Sequence, residues 1–281
     1  MIRFGPSGNS DSFYGQGYKS TMDAAGWLKN MGLDAYEYSF GRGIGLSLDM
    51  AEKIGRSMAE NGISPSVHAP YYINLANPDP QKRQASLSYI LDSASRAHAM
   101  GADRVVVHVG SPMKMPREEA LQNCREGLLA AQKLLDENNL SAIHLCPETM
   151  GKKGQIGNLE ETLDFCRLEK RFIPCLDFAH IHALHQGRLN TIAEFEEVLN
   201  IGERMLGLER MRNMHVHFST IEYTAAGEKR HRTFAEAEFG PRFQFLAPLL
   251  KKRNYAPRII CECRGTQAED AAEMKKIWEA L

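Results

Sequence analysis

The chain has 281 residues, of which 43% are hydrophobic and 25% are charged, and its formal net charge is −1. This composition belongs to a packed globular protein and excludes both a disordered chain and a strongly basic nucleic-acid binder. Residues 1–6 have the pattern of a strand rather than of a signal peptide, and no stretch reaches the roughly 18 apolar residues of a membrane span. We therefore expect a cytoplasmic protein with no membrane partner.

Short β-like runs alternate with longer helical patterns along the chain. The predicted strands are 2–5, 35–39, 64–68, 104–109, 142–148, 172–177, 213–218 and 257–263, and the predicted helices are 18–31, 46–61, 80–101, 118–138, 159–167, 191–206, 241–253 and 267–281. The run 104–109 is the clearest strand, because its apolar residues are mostly β-branched. Eight βα units without a break in composition predict an α/β fold, one (β/α)8 TIM barrel over residues 1–281 as a single domain.

The six cysteines lie at positions 124, 146, 166, 175, 261 and 263, mostly inside apolar segments. A reducing compartment does not favour disulfides between them. Cys261 and Cys263 suggest a thiolate metal site, but alternation along a strand is the simpler interpretation. It would place both sulfurs on one face of the strand and Glu262 on the other.

Potential metal ligands occur at or near the ends of six successive predicted strands, the third to the eighth. They are His68, His108, Glu148, Asp177, His215 and Glu262. The loops after the sixth and seventh strands add His180 and His231, and His217 is a reserve ligand two residues beyond His215 on the same face. Because the C-terminal ends of barrel strands converge on one ring, we expect these side chains to surround a common centre at that face.

Each of these residues has an ordinary structural explanation when it is considered alone. A histidine in an apolar segment is more often a hydrogen-bonded core residue, a glutamate at a strand end is more often in an ion pair, and an aspartate often caps a turn. Burying three carboxylates and three histidines together at one end of the barrel, where the dielectric constant is low, would however cost free energy unless cations were also bound. Such a mixture suits zinc, manganese or iron, and the number of ligands suits two metal ions that share a carboxylate.

Several stretches spread over nearly the whole chain match a known pattern. They are 67–75 (VHAPYYINL), 108–111 (HVGS), 147–150 (PETM) with 157–159 (GNL), 176–180 (LDFAH), 214–215 (MH), His231 and 261–262 (CE). On these stretches the chain resembles the endonuclease IV family of abasic-site DNA repair enzymes, also called AP endonuclease family 2, within the xylose isomerase-like TIM barrels. The ordered set is far more specific than any single motif.

The resemblance implies a cluster of two or three zinc ions. By position, the ligands would be His68, His108 and Glu148 for the first ion, Glu148, Asp177, His215 and Glu262 for the second, and His180, His231 and one further acid for the third. In that family the metal ions support hydrolysis of the phosphodiester 5′ of an abasic site in DNA. This activity would make Glu148 and Glu262 catalytic residues, and abasic DNA the partner of a monomeric enzyme.

The chain also departs from the family pattern at the expected rim of the site. Lys229 stands where the family has an aspartate, and a charged lysine cannot bind a cation. Either Glu228 replaces that aspartate through a shifted loop, or the third ion is weak or absent and Lys229 offers positive charge to the substrate. Tyr71 and Arg42 are the remaining candidates for contacts with DNA.

Three functions remain open at this point. The first is a metal-dependent phosphodiesterase that acts on abasic DNA. The second is a sugar or sugar-phosphate isomerase or epimerase, in which one divalent ion polarises vicinal oxygens and a carboxylate moves the proton. The third is a barrel that binds metal or nucleic acid without turnover. The pair His68 and His108 favours the first, because an isomerase has less need of a second group of ligands.

Overall fold

The computed structural model describes residues 1–41 and 43–281, so the expected contact of Arg42 with a substrate lies outside the described residues. Eight parallel strands form the wall of a barrel. They are β1 (Arg3–Pro6), β2 (Ala35–Ser39), β3 (Ser64–His68), β4 (Arg104–Val107), β5 (His144–Pro147), β6 (Cys175–Asp177), β7 (His215–Phe218) and β10 (Arg258–Cys261), while β8 (Thr220–Thr224) and β9 (Gly227–Arg232) form a separate antiparallel hairpin.

The barrel closes from two arcs of four strands. One arc has the order β1-β10-β7-β6 and the other has the order β2-β3-β4-β5. Parallel bridges join the arcs at Ser7 with Glu37 and at Glu148 with Cys175. This is the (β/α)8 architecture that the alternation of strands and helices predicted.

Helices surround the strands in chain order, and their ends follow recognisable capping sequences. They are α1 (Asp11–Gly15), α2 (Ala24–Asn30), α3 (Leu48–Asn61), α4 (Pro80–Ala99), α5 (Arg117–Glu137), α6 (Leu159–Arg167), α7 (Phe178–Leu184), α8 (Ile192–Leu206), α9 (Leu208–Arg212), α10 (Phe243–Lys252) and α11 (Gln267–Glu279). Asn158 and Glu161 form a capping box at α6, and Asp177 caps α7. No helix in the described part of the chain is long and apolar enough to cross a membrane.

The structure differs from the predicted elements in two places that matter for the site. The segment after β6 was predicted as a loop and is the short helix α7, because the Asp177 side chain accepts the His180 N–H at 2.8 Å. The segment between the predicted strand 213–218 and the predicted helix 241–253, expected to be a loop that carries His231, contains the β8–β9 hairpin. Both segments carry candidate ligands, so these differences affect where those ligands point.

The main apolar core lies between the strands and the helices and not inside the barrel. Val105 and Val107 on β4 point outward into this core, together with fully buried rings such as Phe165 and Phe195. Val106 points the other way and forms a small separate cluster with Cys146 and Cys175. The outer layer therefore supplies most of the hydrophobic burial, and polar side chains occupy much of the interior.

Gly5 on β1 offers a direct test of how closely the first two strands approach. A Cβ atom at Gly5 would lie 1.8 Å from the carbonyl oxygen of Ala35 on β2. We expect Gly5→Ala to lower the free energy of unfolding by at least about 2 kcal/mol, because the backbone of two strands would have to move. Urea denaturation measures this change.

Gly45→Ala is the control for that experiment, because a Cβ atom at exposed Gly45 meets no atom of the described residues within 4 Å. Its urea midpoint should stay close to that of the wild type. Equal midpoints for Gly5→Ala and Gly45→Ala would show that the two strands are not packed as described.

Candidate metal centre

A polar cavity of about 310 Å³ opens at the C-terminal ends of the barrel strands. Its wall contains Ser39, His68, Tyr71, His108, Met150, Lys152, Gln155, His180, Glu228, His231 and Glu262. Five of the predicted metal ligands are in this wall, and Glu148 and Asp177 lie beneath it with no exposed surface. The predicted convergence of the strand ends on one centre is therefore present.

The first group of ligands joins β3, β4 and the end of β5. His68 donates its Nδ1 hydrogen to the carbonyl oxygen of Ala69 at 2.7 Å, which leaves Nε2 to face Glu148 Oε2 at 3.1 Å. His108 Nε2 lies 2.8 Å from the same carboxylate oxygen. Two imidazole nitrogens and one carboxylate oxygen thus surround a single point.

The second group uses the other oxygen of the same carboxylate. His217 Nδ1 lies 3.1 Å from Glu148 Oε1 and 3.2 Å from Glu262 Oε2. Asp177 uses one oxygen to cap α7, while its buried Oδ2 lies 3.3 Å from His180 Nδ1 and has no hydrogen-bond partner in the part of the chain that the structure describes. Since an unsatisfied buried oxygen is costly, the Asp177 Oδ2 atom is a strong candidate ligand. Glu148 contacts both groups and is placed as a bridge between them.

His215 does not occupy the position expected of it. Its Nε2 lies 3.0 Å from Glu37 Oε2, and Glu37 is its only ion-pair contact among the residues that the structure describes. Two residues along a strand correspond to about 6.6 Å, so His215 lies one layer deeper than His217 on the same face. The expectation for His215 is corrected accordingly, since His217, the reserve ligand, is the histidine that reaches Glu148.

The third group consists of His180, His231 and Glu228. His180 donates its Nδ1 hydrogen to the carbonyl oxygen of Thr149 at 2.8 Å. His231 Nδ1 lies 2.7 Å from the hydroxyl of Ser219, which itself donates to the Thr220 carbonyl oxygen and so accepts from the histidine. In the neutral rings the lone pairs are therefore on the two Nε2 atoms.

These two Nε2 atoms lie only 3.2 Å apart, and Glu228 Oε2 lies 3.4 Å from that of His180. Burial would lower the pKa of His180, but the charges of Asp177 and Glu228 raise it well above its usual value, so a proton is held among these atoms where a metal ion could replace it. The arrangement is that of a metal site with two nitrogen ligands and one oxygen ligand.

A bulge in the β8–β9 hairpin decides between Glu228 and Lys229. Glu222 pairs with Arg230 and Tyr223 pairs with Glu228, so Lys229 is the extra residue on β9. The bulge places Glu228 on the same face as His231, whereas simple alternation would have placed Lys229 there. The Glu228 N–H also donates to the Gly151 carbonyl oxygen at 2.8 Å, which holds the hairpin against the loop after β5.

Lys229 consequently does not face the cavity. Its Nζ lies 2.5 Å from Glu222 Oε1, and 55% of its side chain is exposed. The expected contact of Lys229 with a substrate is corrected, because the bulge turns its side chain to the outer surface of the hairpin. Lys152 is the lysine that lines the cavity, with its Nζ 3.8 Å from Glu228 Oε1. Tyr71, in contrast, lies in the cavity wall as expected.

The ionisable groups of this site shift one another's pKa values. Burial would raise the pKa of Glu148, but the positive charges of His108 and His217 hold the pKa well below its usual value. The pKa of Glu262 falls to about 2, since His217 outweighs the effect of burial. Burial lowers the pKa of His68, yet its hydrogen bond with Glu148 raises it to about 9 overall. The carboxylates of Glu148 and Glu262 are thus ionised at neutral pH and attract cations, whereas burial raises the pKa of Asp177.

Sequence reasoning missed two residues next to these groups. Glu37 has no exposed surface and lies within 3 Å of both His215 and His217. A charged residue inside the predicted strand 35–39 was the only signal for it. Ser219 orients His231, and no sequence pattern indicated that role. The residues present fit divalent ions such as zinc, manganese or iron, because imidazole and carboxylate donors converge and the Asp177 Oδ2 atom has no hydrogen-bond partner among the described residues.

Comparison with known proteins identifies relatives of the chain. Residues 25–280 match the AP endonuclease 2 family model, described as a xylose isomerase-like TIM barrel. The uncharacterized protein MJ0133 of Methanocaldococcus jannaschii is 34% identical over 235 residues, which are 84% of each protein. Two proteins named probable endonuclease 4 are each 30% identical to this chain. The match covers 65% of this chain and 63% of the protein from Acholeplasma laidlawii, and 68% of this chain and 64% of the protein from Bacillus licheniformis.

Solved structures with the same fold come from more than one class of enzyme. Endonuclease IV from Thermus thermophilus has a TM-score of 0.69 at 21% identity, over 99% of this chain and 98% of its own. The 3-keto-D-glucoside 4-epimerase of E. coli has a TM-score of 0.70 at 15% identity, over 100% of both chains. These likenesses show the fold and leave the reaction open. The family model, which matches residues 25–280, establishes that the chain belongs to the AP endonuclease 2 family of xylose isomerase-like TIM barrels.

Proposed function

We propose that the protein is a metal-dependent phosphodiesterase that hydrolyses the phosphodiester 5′ of abasic sites in DNA. The observation that carries this proposal is the presence of three ligand groups around one cavity, with Glu148 in contact with the first two. Phosphodiester hydrolysis needs positive charge at the phosphoryl oxygens, at the leaving oxygen and at the attacking water. Three adjacent cation sites would meet all three requirements.

The ligands divide by group. The first site would use His68, His108 and Glu148, the second Glu148, Asp177, His217 and Glu262, and the third His180, His231 and Glu228. Metal ions bound there would polarise the phosphoryl oxygens and lower the pKa of a bound water. Zinc suits these nitrogen and oxygen donors, and manganese or iron would suit them too.

The protein side chains would bind and orient the reacting groups. Glu262 lines the cavity, and its low pKa keeps it an ionised acceptor for a hydrogen bond from the attacking water. Lys152 lines the same cavity with half of its side chain exposed, which suits a contact with a phosphate oxygen. Tyr71 lies at the rim, also half exposed, where its ring would contact the sugar or a base beside the scissile bond.

A sugar or sugar-phosphate epimerase is the second candidate. The second group alone resembles a four-ligand site for one divalent ion, and a cavity of about 310 Å³ is large enough for a monosaccharide. Epimerase structures share the fold as well. The first and third groups favour the phosphodiesterase, because a one-metal epimerase would leave five of the buried or half-buried ligands in these groups without a use.

The proposal also includes a cytoplasmic location and a monomeric state. All six cysteines are free thiols and all are buried. Free thiols persist in a reducing compartment, which supports the cytoplasm. Gel filtration of the purified protein would test the monomer.

The activity itself is the first test of this proposal. A duplex with one abasic site should be cut on its 5′ side when zinc or manganese is present, and Glu148→Gln should slow cleavage by about 100-fold or more because two cation sites share this carboxylate. Product length on a denaturing gel measures the cut.

His98→Ala is the control, since His98 is exposed on α4 and belongs to none of the three groups. Its cleavage rate should equal that of the wild type. Absence of cleavage, combined with epimerisation of a ketose that Glu148→Gln abolishes, would favour the second candidate and refute the first.

Metal content tests the third group separately from activity. Glu228→Gln and His231→Ala should each bind about one divalent ion fewer per chain than the wild type, because each removes a donor from the third site. Mass spectrometry of the purified, desalted protein measures the ratio of metal to protein.

Lys229→Gln is the matched control at the neighbouring position, and it should keep the full metal content because Lys229 faces Glu222. If Lys229→Gln loses an ion while Glu228→Gln does not, the bulged register of β9 is wrong and the third site is built differently.

A further inference from the structure

Glu37 is a fully buried carboxylate inside the barrel, and the proposed function gives it no role. It lies on β2, outside the cavity wall, and has no exposed surface. Its Oε1 atom lies 2.9 Å from His217 Nε2, and its Oε2 atom lies 3.0 Å from His215 Nε2. A carboxylate is costly in a dry interior unless such polar partners surround it, so the two imidazoles compensate its burial.

The carboxylate of Glu37 is held in one orientation by partners at its other oxygen. Ser66, which stands directly opposite Glu37 where β2 pairs with β3, donates its hydroxyl hydrogen to Oε2 at 2.9 Å. His215 Nε2 approaches the same oxygen. These two contacts fix the plane of the carboxylate and leave Oε1 to face His217.

His217 lies between this carboxylate and the candidate metal centre. Its Nδ1 atom lies 3.1 Å from Glu148 Oε1 and 3.2 Å from Glu262 Oε2, on the side of the second ligand group. A neutral imidazole has one N–H donor and one lone pair. His217 can therefore bind a cation through Nδ1 only while its single hydrogen is on Nε2, and Nε2 is the atom that faces Glu37.

We propose that Glu37 is a positioning residue for the metal-binding His217. It accepts the Nε2 hydrogen, which fixes the tautomer whose Nδ1 lone pair faces the second cation site, and it holds the ring toward Glu148 and Glu262. Carboxylates behind metal-binding histidines have this effect, and their loss typically lowers metal affinity about 10–100-fold. His215 acts one step further away, because its ion-pair contact is with Glu37. This inference rests on the metal sites of the proposed function.

The length of the Glu37 side chain distinguishes positioning from simple charge balance. A carboxylate that only balances nearby positive charge would act from any adjacent position, whereas a positioning carboxylate has to reach Nε2 of His217. Glu37→Asp keeps the charge and shortens the side chain by one methylene group. We expect Glu37→Asp and Glu37→Gln both to bind the second zinc ion about 10-fold or more weakly than the wild type.

Competition with a chromophoric zinc chelator measures this affinity in the purified protein. Val106→Ala is the control, since Val106 is also fully buried inside the barrel, where it packs with Cys146 and Cys175. Val106→Ala should lower the urea midpoint and leave the zinc affinity unchanged. Wild-type affinity in either Glu37 variant, or an equal loss of affinity in Val106→Ala, would overturn the proposal.

Proton NMR of the zinc-loaded protein with isotope-labelled histidine observes the Nε2 hydrogen directly. The wild type should show an imidazole N–H resonance downfield of the amide region that is absent from His217→Gln, and Glu37→Gln should lose or shift it. Ser66→Ala keeps Glu37 and should shift the same resonance with a smaller loss of zinc affinity, so the test does not depend on the folding of Glu37→Gln.

A resonance that stays unchanged in both Glu37→Gln and Ser66→Ala would refute the positioning role. Neither measurement involves the cleavage of DNA. Inactivity toward abasic DNA, together with a zinc affinity that depends on Glu37, would therefore refute the proposed function and support this inference.

Discussion

The burial of one carboxylate constrains the upper half of this barrel. Glu148 has no exposed surface and lies among the imidazoles of His68, His108 and His217. An ionised carboxylate in a dry interior costs several kcal/mol unless opposite charge compensates it. Protons on the histidines can provide that charge, and metal ions provide it when they displace those protons. The negative charge of Glu148 is therefore balanced by positive charge on the surrounding ligands or on metal ions bound to them.

The barrel geometry delivers this set with little help from loops. Side chains alternate between the outer core and the interior along every strand, so the last inward residues of neighbouring strands meet at one level. Two local devices extend the ring beyond the strands. Asp177 begins α7 and thereby turns His180 toward the cavity, and the bulge at Lys229 brings Glu228 beside His231. Hydrophobic burial comes mainly from the layer between strands and helices, which leaves the interior available for polar groups.

His217 connects the two layers of polar residues. One ring nitrogen faces the carboxylates of Glu148 and Glu262, while the other faces Glu37. A carboxylate behind a metal-binding histidine selects its tautomer and fixes its orientation. A substitution of Glu37 would therefore change the tautomer or orientation of His217 at the candidate metal centre, even though Glu37 lies outside the cavity wall. The geometry of the candidate metal centre therefore depends on the packing of the barrel interior.

The sequence by itself determined the eight βα units, the order of the strands and most of the ligand ring, because alternation and strand ends are local patterns. His68, His108, Glu148 and Glu262 were all predicted and lie together. Three features were decided only by tertiary structure. The choice of His217 over His215 depends on strand register, the choice of Glu228 over Lys229 depends on one bulge, and the contacts of Glu37 cross the closed barrel. A register shift of one residue reverses which side chains face inward, and such a shift cannot be predicted from the spacing of residues along the sequence.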